Sequence, residues 1–302
     1  MDTKPAGNVL DEFVRMSANH ILLISCPDAK GLVHKITGVV FRHDLNIVSN
    51  GEFVDPQLRQ FFMRTEIAGD IDAAKILAEL RAVLPANAQA QLTPQRAKKI
   101  VLLATREPHC LGDLLLRHAY GELNAEILAV ISNHSALARL VGKFELDPSA
   151  VGKIPFHEVP HDGKTREQHE AEVLSIINRY DPEFVVLAKY MRVLTAGFTR
   201  QFPQRIINIH HSFLPAFVGA QPYKQAYDRG VKIIGATAHF VTDQLDEGPI
   251  LAQSVIPVDH THGISELTQA GREIEKLVLA KALRLVFEER VFVAGNKTII
   301  FE

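Results

Sequence analysis

The chain has 302 residues, 47% of them hydrophobic and 23% charged, with a formal net charge of −2. That length suits two domains of ordinary size, and the apolar fraction supplies material for a core in each. The near-neutral balance and the lack of a polybasic arm argue against nucleic acid as a partner. Cys26 and Cys110 stand far apart and belong to no C-x-x-C pair, which speaks against a disulfide framework or a thiolate metal site. Residues 1–7 lack a basic stretch followed by an apolar one, and no apolar run approaches the roughly 18 residues that cross a bilayer. A cytoplasmic chain without a membrane segment is the expectation.

After a lead-in of about 17 residues, His20-Ile-Leu-Leu-Ile-Ser-Cys26 reads as a strand, ended by Pro27 and Asp28. Leu32, Ile36, Val39 and Val40 then fall on one helical face, with His43 at its end. Asn46–Val54 is extended, Asp55-Pro56 turns, and Arg59–Ile67 alternates as the second arm of a hairpin. Ile71, Leu77, Leu80 and Leu84 mark a second helix, and a short strand follows near 89–92. The order β-α-β-β-α-β is that of a split βαβ, ferredoxin-like unit over residues 18–92. Thr93–Lys99 is polar, basic and contains a proline, so it reads as a linker.

From residue 100 to 302 the pattern becomes a second domain of regular alternation. Strands are expected at 100–104, 125–132, 154–158, 184–188 and 206–209, and helices at 111–120, 135–144 and 166–179. Strands apolar on both sides and alternating with helices imply a mostly parallel sheet covered on both faces, a Rossmann-like α/β fold. Its carboxyl ends at Thr105, Lys189 and His210 should share a crevice. Further strands are expected at 233–240 and 250–256, and a long amphipathic helix at 264–287.

The chemistry sits in two segments. In Asn208-Ile-His-His-Ser-Phe-Leu-Pro215, Asn208 and His210 are two apart at a strand end and so point to one side. An amide N–H can stabilise an oxygen that gains charge, and an imidazole can exchange a proton near neutral pH. On these residues alone, two polar groups closing a strand fit equally well. The second segment is Gly235-Ala-Thr-Ala-His-Phe-Val-Thr-Asp-Gln-Leu-Asp-Glu-Gly-Pro-Ile250. Its Asp246 lies on a turn-rich loop and either orients an imidazole or simply caps a turn.

Together the two segments resemble the folate-dependent formyltransferase family over about residues 99–290. The resemblance implies a catalytic set of Asn208, His210 and Asp246, with Met191, Arg192 and Leu194 of the Leu187–Leu194 segment lining a pterin pocket through backbone groups, and His239 beside them. No separate cofactor is implied, because the folate is the substrate.

The turn Thr105-Arg-Glu-Pro-His-Cys-Leu-Gly-Asp113 bears on the acceptor. A glycine-rich turn would expose N–H groups to a phosphate at the helix start. Here one glycine, a proline without an N–H, and the carboxylates of Glu107 and Asp113 argue against a phosphorylated amine and leave water as the acceptor. Glu-Pro-His-Cys-Leu-Gly-Asp-Leu-Leu, the His210-His211 pair, Ala188–Thr195 and the tail Arg290–Ile300 are similar to the formyltetrahydrofolate deformylase family from about residue 20 onward. That implies hydrolysis of 10-formyltetrahydrofolate to tetrahydrofolate and formate, balancing one-carbon folate pools and supplying formate for purine synthesis. In the implied mechanism Asn208 donates to the formyl oxygen, Asp246 with His210 deprotonates water, and His210 then protonates the folate nitrogen. An amine-accepting formyltransferase, or a non-catalytic folate or amino-acid sensor, stays open on the sequence.

The first unit, with Cys26-Pro-Asp-x-x-Gly-Leu-Val33, resembles the ACT regulatory domain. The resemblance implies a small amino-acid effector, such as glycine or methionine, at Asp28, Gly31 and Asn46, and a homo-oligomer, dimer or tetramer. Oligomerisation alone is the other reading. His157-Glu-Val-Pro-His161 matches a zinc-protease string, but Pro160 opposes the helix that the string requires, so no metal is expected there. The chain has no G-x-G-x-x-G or Walker loop to hold a nucleotide cofactor.

Overall fold

The computed structural model describes residues 19–145, 153–215 and 222–302, and the lead-in lies outside them. Two compact units divide the chain between Arg96 and Ala97.

The first unit runs β1 (His20–Pro27), α1 (Leu32–Arg42), β2 (Asn46–Asp55), β3 (Gln60–Ala68), α2 (Ala73–Val83) and β4 (Gln89–Pro94). Its strands form an antiparallel sheet in the order β2-β3-β1-β4. Alternation in β1 sends Leu22, Ile24 and Cys26 to one face. There they meet Ile36 and Val39 of α1, Ile76 and Leu80 of α2, and Phe61 and Met63 of β3 in one buried core. Each fully buried aliphatic side chain contributes about 1.5–3 kcal/mol. The two helices start differently. Asp72 caps α2 by accepting from the Lys75 amide at 3.1 Å, whereas Gly31, at φ 80°, precedes α1 with no side-chain cap.

The second unit opens with β5 (Lys98–Ala104), α3 (Pro108–Ala119) and β6 (Ala125–Ser132). The helix expected over 135–144 is broken. Ser135–Leu137 and Gly142–Glu145 are 3-10 turns around a single α turn, α4 (Ala138–Val141). Gly142, a poor helix former, sits where the run would have to continue. Next come β7 (Phe156–Glu158), α5 (Arg166–Tyr180), β8 (Phe184–Leu187), α6 (Ala196–Thr199) and β9 (Ile206–His210). A Thr165–Gln168 capping box starts α5. Finally α7 (Pro222–Arg229), β10 (Ile233–Phe240), β11 (Ile250–Pro257), α8 (Ile264–Phe287), β12 (Val291–Ala294) and β13 (Lys297–Ile300) follow, the last two as a hairpin.

Among the described residues these build a seven-stranded sheet in the order β11-β10-β9-β8-β5-β6-β7. β5 to β9 run parallel, while β10 and β11 are antiparallel. One face of the sheet, with Leu102, Val186, Ile207 and Ile209, packs against Leu111 and Leu114 of α3 and Ile274, Val278 and Leu279 of α8. The other, with Val101, Leu103, Val185, Leu187 and Ile206, packs against Val173 and Ile177 of α5. The chain leaves β5 toward β6 and β7 and returns on β5's other side with β8, so a topological switch point lies between β5 and β8.

The polar stretch read as a linker, 93–99, is mostly strand. β4 reaches Pro94, β5 begins at Lys98, and only residues 95–97 lie between. Lys98 is buried because its ammonium meets Glu289 at 2.5 Å and Glu183 at 3.8 Å, partners that local sequence does not reveal.

Candidate active site

Asn208 and His210 leave β9 on the face shared with Ile206, as alternation requires. The antiparallel register sets His239 of β10 directly opposite Asn208, and Thr237 opposite His210. The His239 Nδ1 lies 2.9 Å from the Phe240 carbonyl and therefore donates to it, which leaves Nε2 as an acceptor for Asn208 Nδ2 at 3.2 Å. Burial holds the His239 pKa below its ordinary value, so the ring is neutral in that tautomer. The pairing uses one N–H of the Asn208 amide and leaves the second for a ligand.

Asp246 reaches the pair from the loop between β10 and β11. Its Oδ2 lies 3.3 Å from His210 Nδ1, and its Oδ1 lies 3.7 Å from His239 Nε2. Burial alone would raise its pKa, but the hydrogen bond and charge of His210 outweigh this and hold the carboxyl below the usual range. The loop is pinched where it returns. A Cβ on Gly248 would sit 1.7 Å from the Phe240 carbonyl oxygen, so only glycine fits, and Asp246 itself adopts φ 57°. His210 Nε2 is buried and has no hydrogen-bond partner among the described residues. It is the free end of a ring whose other nitrogen faces a carboxylate. Thr237 Oγ1 steadies the segment after His210 by donating to the Ser212 carbonyl at 2.9 Å and accepting from the Leu214 amide at 3.0 Å.

Asn208, His210, His239 and Asp246 line a cavity of about 340 Å3 together with Met191, Arg192, Leu194 and residues of the 241–246 loop. The anticipated site residues Asn208, His210, Asp246, Met191, Arg192, Leu194 and His239 thus all border one pocket. Met191 is 58% exposed, and its amide already donates to Thr105 Oγ1 at 2.9 Å, so that backbone group is committed within the protein. Asp28, Gly31 and Asn46, in the first unit, are all exposed.

One reading of the sequence changes. Glu107, which precedes α3, and Asp113, which lies within it, are not bare charges. Arg272 pairs with Glu107 at 2.8 Å, and Arg117 with Asp113 at 2.8 Å, so their repulsion of a phosphate is largely cancelled. In place of a bare charge, this end of the sheet holds a buried cluster that the sequence reading missed. Glu275 accepts from His109 Nε2 at 2.6 Å and from Tyr223 at 2.6 Å, and pairs with Lys189 at 3.2 Å. Its one legible signal was an acid on the apolar face of α8, four residues after Gly271 and three before Val278. The His157–His161 string runs as strand and loop, with His157 bonded to Tyr180 at 2.7 Å and His161 to Asn133 at 3.3 Å. Both cysteines are free and buried.

Residues 98–283 match the formyl transferase family, and residues 20–85 match the ACT domain. A formyltetrahydrofolate deformylase of Escherichia coli (strain K12) is 53% identical over 280 residues, covering 93% of this chain and 97% of that protein. The crystal structure of a formyltetrahydrofolate deformylase from Pseudomonas syringae pv. tomato superposes with a TM-score of 0.88 at 38% identity, covering 97% of this chain and 98% of that one. A glycinamide ribonucleotide transformylase from Symbiobacterium toebii is also similar, with a TM-score of 0.62 at 29% identity, but it covers only 68% of this chain against 95% of its own. The full-length likeness is therefore to the hydrolases, with the transferase likeness confined to the shared catalytic fold. The chain belongs to the formyltetrahydrofolate deformylase family.

Proposed function

We infer that this chain cleaves the formyl C–N bond of 10-formyltetrahydrofolate with water, releasing tetrahydrofolate and formate, and that Asn208, His210 and Asp246 carry the step. One observation carries the assignment of roles: His210 is held by Asp246 at Nδ1 and free at Nε2, beside an Asn208 amide with one N–H to spare. That N–H donates to the formyl oxygen as it becomes an oxyanion. Water adds to the formyl carbon and yields its proton to His210 Nε2, while the Asp246 carboxylate balances the imidazolium. As the tetrahedral intermediate collapses, the C–N bond breaks and His210 returns the proton to the folate nitrogen. Met191, Arg192 and Leu194 form the pterin wall. Donor, base and acid all come from the chain and the folate is the substrate, so this mechanism calls for no cofactor.

The test mixes the purified protein with 10-formyltetrahydrofolate and no amine, following tetrahydrofolate by absorbance and formate by a coupled assay. Stoichiometric release of both is expected, with Asp246→Asn inactive. Asn208→Ala should keep folate binding and lose about a hundredfold in turnover, the usual effect of removing one oxyanion donor. Full turnover by Asn208→Ala would overturn its role.

For the ACT unit we propose a small amino-acid effector, glycine or methionine, at the uncapped start of α1 near Asp28, Gly31 and Asn46. Titration calorimetry with each amino acid tests this, and absence of heat with both refutes it. A homo-oligomer in the cytoplasm fits the same reading; among the described residues no helix is long and apolar enough to cross a membrane.

A further inference from the structure

Open parallel sheets take their ligands at the carboxyl ends of strands flanking a switch point. Here that place lies at the ends of β5 and β8, and the crevice has two halves. The half on the Asn208–His210 face is the 340 Å3 pocket. The half on the α3–α8 face is occupied by the protein's own side chains. His109 follows β5, Lys189 follows β8, and Glu275 and Tyr223 come from α8 and α7. Lys189 adopts φ 63°, a left-handed backbone that is rare for a lysine, and its ammonium, 3.2 Å from Glu275, is buried. Room for Tyr223 is specifically provided, since a Cβ on Gly271 would lie 2.1 Å from its hydroxyl. This cluster adjoins the reacting groups. Tyr223 packs near His211 at 6.4 Å between ring centroids, and His211 stacks on His210 at 4.9 Å and 18°.

The cluster is a poor metal site although His109, Cys110 and Glu275 offer donor atoms within 4.8 Å of one another. Both Glu275 oxygens are already hydrogen-bonded, and the Lys189 charge would repel a cation. Its occupancy of the space suits exclusion instead, since three of its side chains close on Glu275. A neutral amine entering here must displace the protein's own side chains from their bonds to Glu275, and finds a single free acceptor, His109 Nδ1, which is buried without a hydrogen-bond partner among the described residues. A protonated amine meets Lys189. Water needs no such room and reaches the formyl carbon from the open pocket.

We propose that His109, Lys189, Tyr223 and Glu275 form the acceptor wall of the site, filling the half of the crevice where an amine would stand and so reserving the formyl group for water. The proposal rests on the hydrolytic reading above. The experiment supplies formyl-labelled 10-formyltetrahydrofolate and glycinamide to the full chain and measures labelled formate against labelled formylglycinamide. In amine transfer the glycinamide nitrogen bonds the formyl carbon, the carbon–folate nitrogen bond breaks, and the amine proton passes to the folate nitrogen. Both products arise from one bound substrate, so their ratio does not depend on how much of a variant is folded.

The wild type should release formate alone. Lys189→Gly combined with Glu275→Ala, which opens the wall without stranding either charge, should raise the amide-to-formate ratio by about tenfold or more. His109→Ser, which keeps the Lys189–Glu275 pair, should raise it less. An unchanged ratio in both variants, or formylglycinamide from the wild type, overturns the wall. Absence of formate from the wild type would instead overturn the hydrolytic reading.

Discussion

Replacing Glu275 by glutamine isolates the electrostatic part of the buried cluster, because shape and hydrogen-bonding capacity are nearly kept while the charge is removed. Glu275 is 1% exposed and Lys189 8%, so the variant strands an ammonium away from water. Removing one partner of a buried pair costs about 3–5 kcal/mol. In a unit of this size each kcal/mol moves the midpoint by about 2–4 °C, so a fall of roughly 10 °C is expected in a calorimetric melt at neutral pH. Lys189→Met together with Glu275→Gln removes both charges and should melt above the single variant, the sign of a coupled pair.

The pH dependence has a definite direction. Burial would raise the Glu275 carboxyl, but the His109 hydrogen bond and the Lys189 charge bring it down from an ordinary 4.5 to about 2. A depressed acid contributes stability above its unfolded pKa and loses it as pH falls through the folded value. The gap between wild type and Glu275→Gln should therefore be full above pH 4.5 and close toward pH 2. A melt within about 2 °C of wild type at neutral pH, with the double variant no better than the single, would refute the argument that this pair is buried and coupled.

Gly248→Ala should cost about 1–3 kcal/mol by forcing the new methyl away from the Phe240 carbonyl, and should lower kcat through the displaced Asp246 loop. Unaltered kcat and melting would show that the loop tolerates the methyl. Met191→Ala removes a half-exposed pocket residue, so its melt should stay within about 0.5 kcal/mol of wild type while KM rises with kcat kept. A fall in kcat at constant KM would take Met191 off the substrate wall.

Much of the site was legible because it is local. Asn208 and His210 share a face by strand alternation alone, and the long helix 264–287 has the bounds its periodicity implied. The Ser135–Phe144 segment was not legible because its apolar spacing is helical while Gly142 and short turns divide it. The acceptor side failed for a different reason. Glu107 read as a bare charge because its partner, Arg272, lies on another element, and the same distance in sequence hid His109 from Glu275. Long-range pairing of charges leaves no periodic trace. Only the position of Glu275 on an apolar helical face marked it.

The register of β9 has a consequence for how such a chain changes over generations. Ile207 and Ile209 belong to the core, while Asn208 and His210 face the pocket. One residue inserted in this strand would exchange the two sets, burying an amide and an imidazole among aliphatic side chains and turning isoleucines into the pocket. Fold and chemistry would be lost in the same event. Drift in β9 is therefore confined to substitution, and lengthening of the chain must be absorbed in its loops.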